Sequence, residues 1–275
     1  MPLEALALYL KLPVFALVAA RLGGLLMFQP VLGALAVPVP LRVLLVLGLA
    51  ALVTPVVALP AAAPDTPLTL ALALGGELLV GILLGLLCAA LFAGLQLGGL
   101  LIAQQSGLAF GQIVDPTNEE EDTVPGVLYV QLTLVVYLAI GGHRALVAAC
   151  LDSFAHWPLA AHAPLLGSIT GSPGLSGAAG APDSGTPALQ LLGDTLALAT
   201  QLAFRVAGPT LLALLLVDVA LGFITRTMPQ LNILAVGFSI KGLLAFALMA
   251  ASLPVAMDAF IETIGRVFQW ATELL

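Results

Sequence analysis

Six long apolar runs, separated by clusters of proline, glycine and charge, divide this chain. Helices tend to stop at or just before a proline, and loops collect Gly, Pro and polar residues. The punctuation therefore predicts helices over about residues 6–29, 42–59, 69–105, 124–151, 188–221 and 231–253. The first closes at Gln29 and Pro30, the second at the loop of Pro60, Pro64, Asp65 and Pro67, and the fourth contains the turn Gly141, Gly142, His143. At roughly 1.5 Å per residue the third run would exceed a hydrocarbon core of about 30 Å by more than half. It must project beyond the bilayer, bend, or lie outside lipid.

Between the fourth and fifth runs, Leu165 to Pro187 is rich in Gly, Ala, Ser and Pro, a composition that behaves as a flexible connector. It separates a front helical module, 1–164, from a rear hairpin, 188–256, whose helices are joined by a turn containing TRTMPQLN. The last nineteen residues, 257–275, change pattern. Phe260, Ile261, Ile264, Val267, Phe268, Ala271, Leu274 and Leu275 recur at helical spacing, with Asp258, Glu262, Arg266, Gln269 and Glu273 between them, which predicts an amphipathic helix. Its few bases give weak attraction to anionic lipid, so a partner subunit is at least as good a surface for it as a membrane.

Composition turns these runs into a class. Of 275 residues 61% are hydrophobic and 8% charged, against about 25% charged in soluble domains. The expected fold is all-α: a polytopic integral membrane protein of helical hairpins, with six apolar segments and a C-terminal amphipathic helix. Eight Lys and Arg against fifteen Asp and Glu, a net charge of −7, offer no basic stripe for phosphate and exclude nucleic acid as a partner. The bases are scattered singly, so the positive-inside rule assigns no orientation. The first helix, with Glu4 and Lys11 where a cleavable leader would differ, reads as retained. Cys88 and Cys150 sit in apolar surroundings as small hydrophobes.

Polar positions then mark candidate sites. From Leu78 to Val114 the chain carries no charge; then come Asp115, Glu119, Glu120, Glu121 and Asp122 with no base among them. Gly107 and Gly111 flank and interrupt Leu108, Phe110, Ile113 and Val114, a flexible apolar plug beside an acidic mouth. Within the third run Gly81, Gly85, Ala89 and Ala93 form one row of small residues, and Gly94 and Gly98 another, the spacing that lets helix backbones approach closely. Glu77, Gln96, Gln104, Gln105, Asp218, Arg226, Asn232 and Lys241 are polar groups in or beside apolar helices. Such groups need partners across helices or subunits. Asp218 and Arg226 lie too far apart on one helix to pair directly. His143, His156 and His162 lack a zinc-type spacing, and no nucleophile or phosphate-binding motif is present, so neither enzyme chemistry nor a cofactor or metal is expected. His143 reads as a cap at a helix end.

Over about 220 residues the order of several features resembles the FliR/SctT family of type III protein export subunits. They are Arg21 with Gly24 and Pro30; Arg42 after Pro38; Glu77 with Gly81 and Gly85; and Gln105, Ser106 and Gly107 leading to Asp115 and Pro116. Gly142 with His143, Ser153 and Phe154 with Pro158, and Arg226 followed by Pro229, Gln230, Leu231 and Asn232 complete the set. The resemblance implies a non-enzymatic channel subunit of the bacterial inner membrane and flagellar basal body. It would assemble with FliP-like, FliQ-like and FlhB-like partners, touch membrane lipid, and pass unfolded exported proteins. It also implies a FliP-like front and a FliQ-like rear, and places the loop 106–122 in the pore as part of its closure. The chain departs from many such proteins in having TNEEED after Asp115 and Pro116, and Gly142 where Asn is usual. The flagellar form is favoured by RTMPQLN and GGH; the injectisome form is the alternative. A secondary transporter would show related halves with broken helices at a midplane site, and a membrane enzyme convergent catalytic groups.

Overall fold

The computed structural model describes residues 3–31, 37–57, 66–109, 123–157, 159, 186–227 and 233–274. Seven helices lie among them: α1 (Leu3–Phe28), α2 (Val39–Val53), α3 (Pro67–Ser106), α4 (Val124–Ala139), α5 (Gly142–His156), α6 (Thr186–Thr227) and α7 (Ile233–Leu274). No strand occurs among the described residues. The all-α membrane class holds. Among the described residues three helices are long and apolar enough to cross a membrane, within Pro67–Ser106, Gln190–Thr227 and Gly237–Trp270, and α4 with α5 makes a fourth if taken as one span.

Three differences from the predicted helices stand out beside α2, which ends at Val53 and not near residue 59. The fourth run is two helices, because Gly141 takes a left-handed φ of 74° and starts α5 afresh. Gly141 is the N-cap, and His143 sits inside the first turn without capping it. Second, α6 continues past residue 221 to Thr227, with Arg226 in its last turn, where a cation offsets the exposed carbonyl end. Third, the amphipathic segment is the last part of α7, which runs unbroken through Pro254. Proline removes one donor from a helix; packed apolar helices tolerate this because neighbouring groups satisfy the freed backbone. The predicted connector, 165–187, lies outside the described residues apart from the start of α6.

Contacts group the chain into two compact units, Met1–Ala89 with Gly141–Thr195 and Arg266–Leu275, and Ala90–Ile140 with Leu196–Gly265. Each draws on both sides of the predicted connector. In the first unit α1 packs on α2 and α5, and Leu17, Val18, Leu22, Leu25, Leu84 and Leu87 are buried. Its tightest crossing joins α1 to α3. A Cβ on Gly24 would meet the Leu78 carbonyl oxygen at 2.5 Å, one on Gly85 would meet the Leu25 carbonyl oxygen at 2.8 Å, and one on Gly81 would strike the Arg21 carbonyl.

The second unit repeats the device. Gly94 and Gly98 of α3 face the backbone of Ala199 and Ala203 of α6, and a Cβ on Gly99 would lie 2.5 Å from the Gly126 Cα of α4. Phe92 meets Tyr137 and Phe260 edge to face, with centroids 5.5 and 5.4 Å away, a geometry favoured by the ring quadrupoles. Small residues here let backbones touch, which is the means of helix association where lipid removes the usual hydrophobic drive. Of the two predicted rows, Gly81, Gly85, Gly94 and Gly98 lie at crossings; Ala89 is half-buried and Ala93 exposed.

Gly81→Ala is expected to destabilise the protein by about 1–3 kcal/mol, since backbone and not a flexible side chain occupies the space. Gly193→Ala, with nothing within 4 Å of its added Cβ, should be neutral or stabilising by up to about 1 kcal/mol from helix propensity. Thermal unfolding in detergent of the two variants beside the parent protein checks the contrast.

Candidate functional site

The polar side chains gather in two clusters. In the first unit Arg21 of α1 is fully buried, as is Glu77 of α3. Arg21 Nε donates to Glu77 Oε2 at 2.6 Å, Nη1 to Ser153 Oγ at 2.9 Å, and Nη2 to the Trp157 carbonyl at 3.2 Å. Its guanidinium lies 4.2 Å from the centroid of the Phe154 ring, within range of a cation–π attraction. The Ser153 hydroxyl donates in turn to the Cys150 carbonyl at 2.6 Å. Arginine suits this place because its planar fork serves several acceptors at once and keeps its charge when buried. The cluster ties α1, α3 and α5 at one point.

The second cluster stands at the end of α3. Asp218 of α6 is ion-paired to Lys241 of α7, and its Oδ2 accepts from Gln105 Nε2 at 2.8 Å. The Lys241 and Asp218 side chains are 16% and 34% exposed, so the pair is only partly desolvated. One carboxylate thus joins three helices. One residue further α3 ends: the Ser106 hydroxyl and the Ala109 N–H both donate to the Ala103 carbonyl at 3.2 Å. Gly107 takes a φ of 82°, and ring carbons of Phe238 stand where its side chain would be. Leu108 Cδ2 packs 3.6 Å from the Cβ position of Gly242. The start of the loop is held against α7 by residues flanking Lys241.

Of the polar residues singled out from sequence, Glu77 enters the first cluster and Gln105, Asp218 and Lys241 form the second. Gln96 and Gln104 are exposed, as is Arg226, so none of these three is buried in this chain. Asn232 lies outside the described residues. Of the apolar plug, Gly107 and Leu108 are described; Phe110, Gly111, Ile113, Val114 and the acids from Asp115 to Asp122 lie outside. Sequence periodicity gives no sign of Phe238, an aromatic in an apolar helix. Ser153 and Phe154 stand out in the sequence only through the family resemblance. Among the described residues no group of three or more His, Cys, Asp or Glu side chains is placed to hold a metal.

Backbone-close helix crossings and apolar helices long enough to span a bilayer define a polytopic helical membrane protein. The chain belongs to the bacterial export proteins, family 1, whose sequence model matches residues 12–267. It is 28% identical over 258 residues to flagellar biosynthetic protein FliR of Escherichia coli K12, covering 93% of this chain and 90% of that protein. It is 27% identical over 255 residues to FliR of Caulobacter vibrioides, covering 91% and 92%. Yop proteins translocation protein T of Yersinia pestis is 25% identical over 181 residues, 66% of this chain and 62% of that one.

Arg21→Met or Glu77→Leu alone leaves a buried charge without its counter-ion and is expected to remove about 3–5 kcal/mol. The double variant R21M/E77L should be more stable than either single one, because replacing both ends of a buried pair by apolar groups is often near neutral. Accumulation in membranes and thermal unfolding in detergent, compared across the four proteins, report the coupling.

Proposed function

We propose that this protein is a subunit of the flagellar type III protein export gate, helping to form and close the inner-membrane pore through which unfolded flagellar proteins leave the cell. The observation that carries the reading is agreement with the export family over residues 12–267, with FliR proteins matched along nine-tenths of both chains. The geometry supports it: an apolar loop leaves α3 from a stem anchored by Gln105, Asp218, Lys241 and Phe238. In the assembled pore Leu108, Phe110, Ile113 and Val114 close the path by excluding water, since apolar constrictions gate by dewetting. Gly107 and Gly111 let the loop move aside for a substrate chain.

The partners in this reading are FliP-like and FliQ-like subunits and a FlhB-like subunit, and the location is the flagellar basal body at the inner membrane. The modules 1–164 and 188–256 are the FliP-like and FliQ-like parts of one chain. Exposed apolar residues fit burial by such neighbours: Leu212, Leu216 and Phe223 on α6 and Leu243 on α7 are each more than half exposed. Contiguous apolar surface of this kind marks contact with other proteins or with lipid.

Expression in a flagellate strain lacking its own counterpart is expected to restore swimming, with the chain co-purifying with FliP-like and FliQ-like subunits; a stable solitary chain with no rescue contradicts the reading. Deleting 108–114, or Phe110→Gly, should leave assembly intact and raise ion leakage across the inner membrane. Unchanged conductance in a correctly assembled complex counts against the plug.

A further inference from the structure

Within the second unit, α6 and α7 enclose a cavity of about 290 Å³ whose walls are almost wholly apolar. It opens on the outer face, where Pro209, Ala251 and Val255 are exposed. Two features set it apart from a simple packing gap. At one end stands Arg205, 3.3 Å from Glu262 Oε2, and both side chains are more than half exposed at 54% and 57%. Further along lies Thr210, 1% exposed, whose hydroxyl has no hydrogen-bond partner.

The Thr210 hydroxyl breaks a pattern. Thr133, Thr195, Thr200, Thr225 and Thr263 each donate to the carbonyl four residues back, at 2.6 to 2.8 Å. Thr210 does not, although it is among the most buried of them. Four residues before Pro209, the Arg205 carbonyl also loses its usual helix donor, because proline has no N–H. A buried hydroxyl left unpaired is costly enough to require an explanation in the form of a missing partner.

We propose that this groove binds one aminophospholipid, a diacyl lipid whose zwitterionic headgroup carries a phosphate and a primary ammonium. The Arg205 guanidinium takes the phosphate, a pairing its planar fork favours. The Glu262 carboxylate takes the ammonium, so the protein's ion pair and the headgroup's meet with opposite polarity. Thr210 lies five residues along α6, roughly 7 Å from Arg205 along the helix axis, the depth at which a glycerol ester carbonyl succeeds the phosphate. That carbonyl is an acceptor for the Thr210 O–H. Beyond it, one acyl chain passes Leu248 and continues over Leu215, an exposed apolar residue on α6. Headgroup, ester and chain thus find matching chemistry in the order in which a phospholipid presents them. At the mouth the Glu262 carboxylate disfavours an anionic lipid, and a primary ammonium donates to it where a quaternary one cannot.

The test uses the full chain, purified with its co-assembled subunits into nanodiscs of equal phosphatidylethanolamine, phosphatidylcholine and phosphatidylglycerol, with retained lipid counted by native mass spectrometry. Phosphatidylethanolamine is expected to be retained at least fivefold over the other two. Glu262→Gln should abolish that preference, and Ala251→Leu, which narrows the cavity and leaves the ion pair in place, should reduce the bound lipid. A photo-crosslinking residue at 251 should capture lipid. Equal retention of the three lipids, retention unchanged by Ala251→Leu, or capture of a protein segment at 251 overturns the proposal. Glu262 is exposed, so its variant reads out selectivity even if Ala251→Leu disturbs folding.

Discussion

A guanidinium and a carboxylate without access to water can persist in apolar protein only by meeting each other, and the Arg21–Glu77 pair imposes that condition on the first unit. The two residues lie 56 positions apart in sequence. For the pair to close, α1 must reach α3 in one register, and the same guanidinium then requires Ser153 and the Trp157 carbonyl to arrive from α5 and its end. Gly24 and Gly81, next to these charges, allow the backbones to come near enough for a 2.6 Å bond. Apolar packing alone would accept several sliding registers of leucine-rich helices. The pair accepts one, so its contribution lies in specificity more than in net stability.

The second unit uses a weaker version of the same logic. Asp218 and Lys241 are part-exposed, and Gln105 beside them is only half-buried, so their union costs less and holds less firmly. That suits its place at the foot of a loop. A fully buried cluster would fix the loop stem permanently, whereas a half-hydrated one keeps it ordered while leaving exchange of partners within reach.

The class and most helices were legible because apolar runs and proline punctuation are local signals. The unread parts depend on single residues acting through space. The turn at Gly141 showed in the cluster Gly141, Gly142, His143, but not that it ends α4 and starts a new helix, which rests on a φ angle. Pro254 reads as a break and is not, since packed helices absorb the lost donor. Glu77 could be picked out by its cost, but its partner could not, because Arg21 is one of several isolated bases. The small-residue rows were visible as spacing, yet Ala93 faces outward while Gly94 beside it faces a backbone, a phase that only the neighbouring helices decide. Arg226, polar and near an apolar helix, stays exposed at a helix end where it needs no buried partner.

The glycine crossings along α3 have a mechanical side. A contact between two backbones has no side chain to rearrange, so it yields neither to small rotations nor to sliding. The last of these along α3 is at Gly99, and the helix ends at Ser106. Seven residues, roughly 10 Å, separate the two, and Gln105 among them is tied to Asp218. A stretch that short carries Ser106 rigidly, so the change of direction at the end of the shaft falls at Gly107, whose left-handed backbone turns the chain.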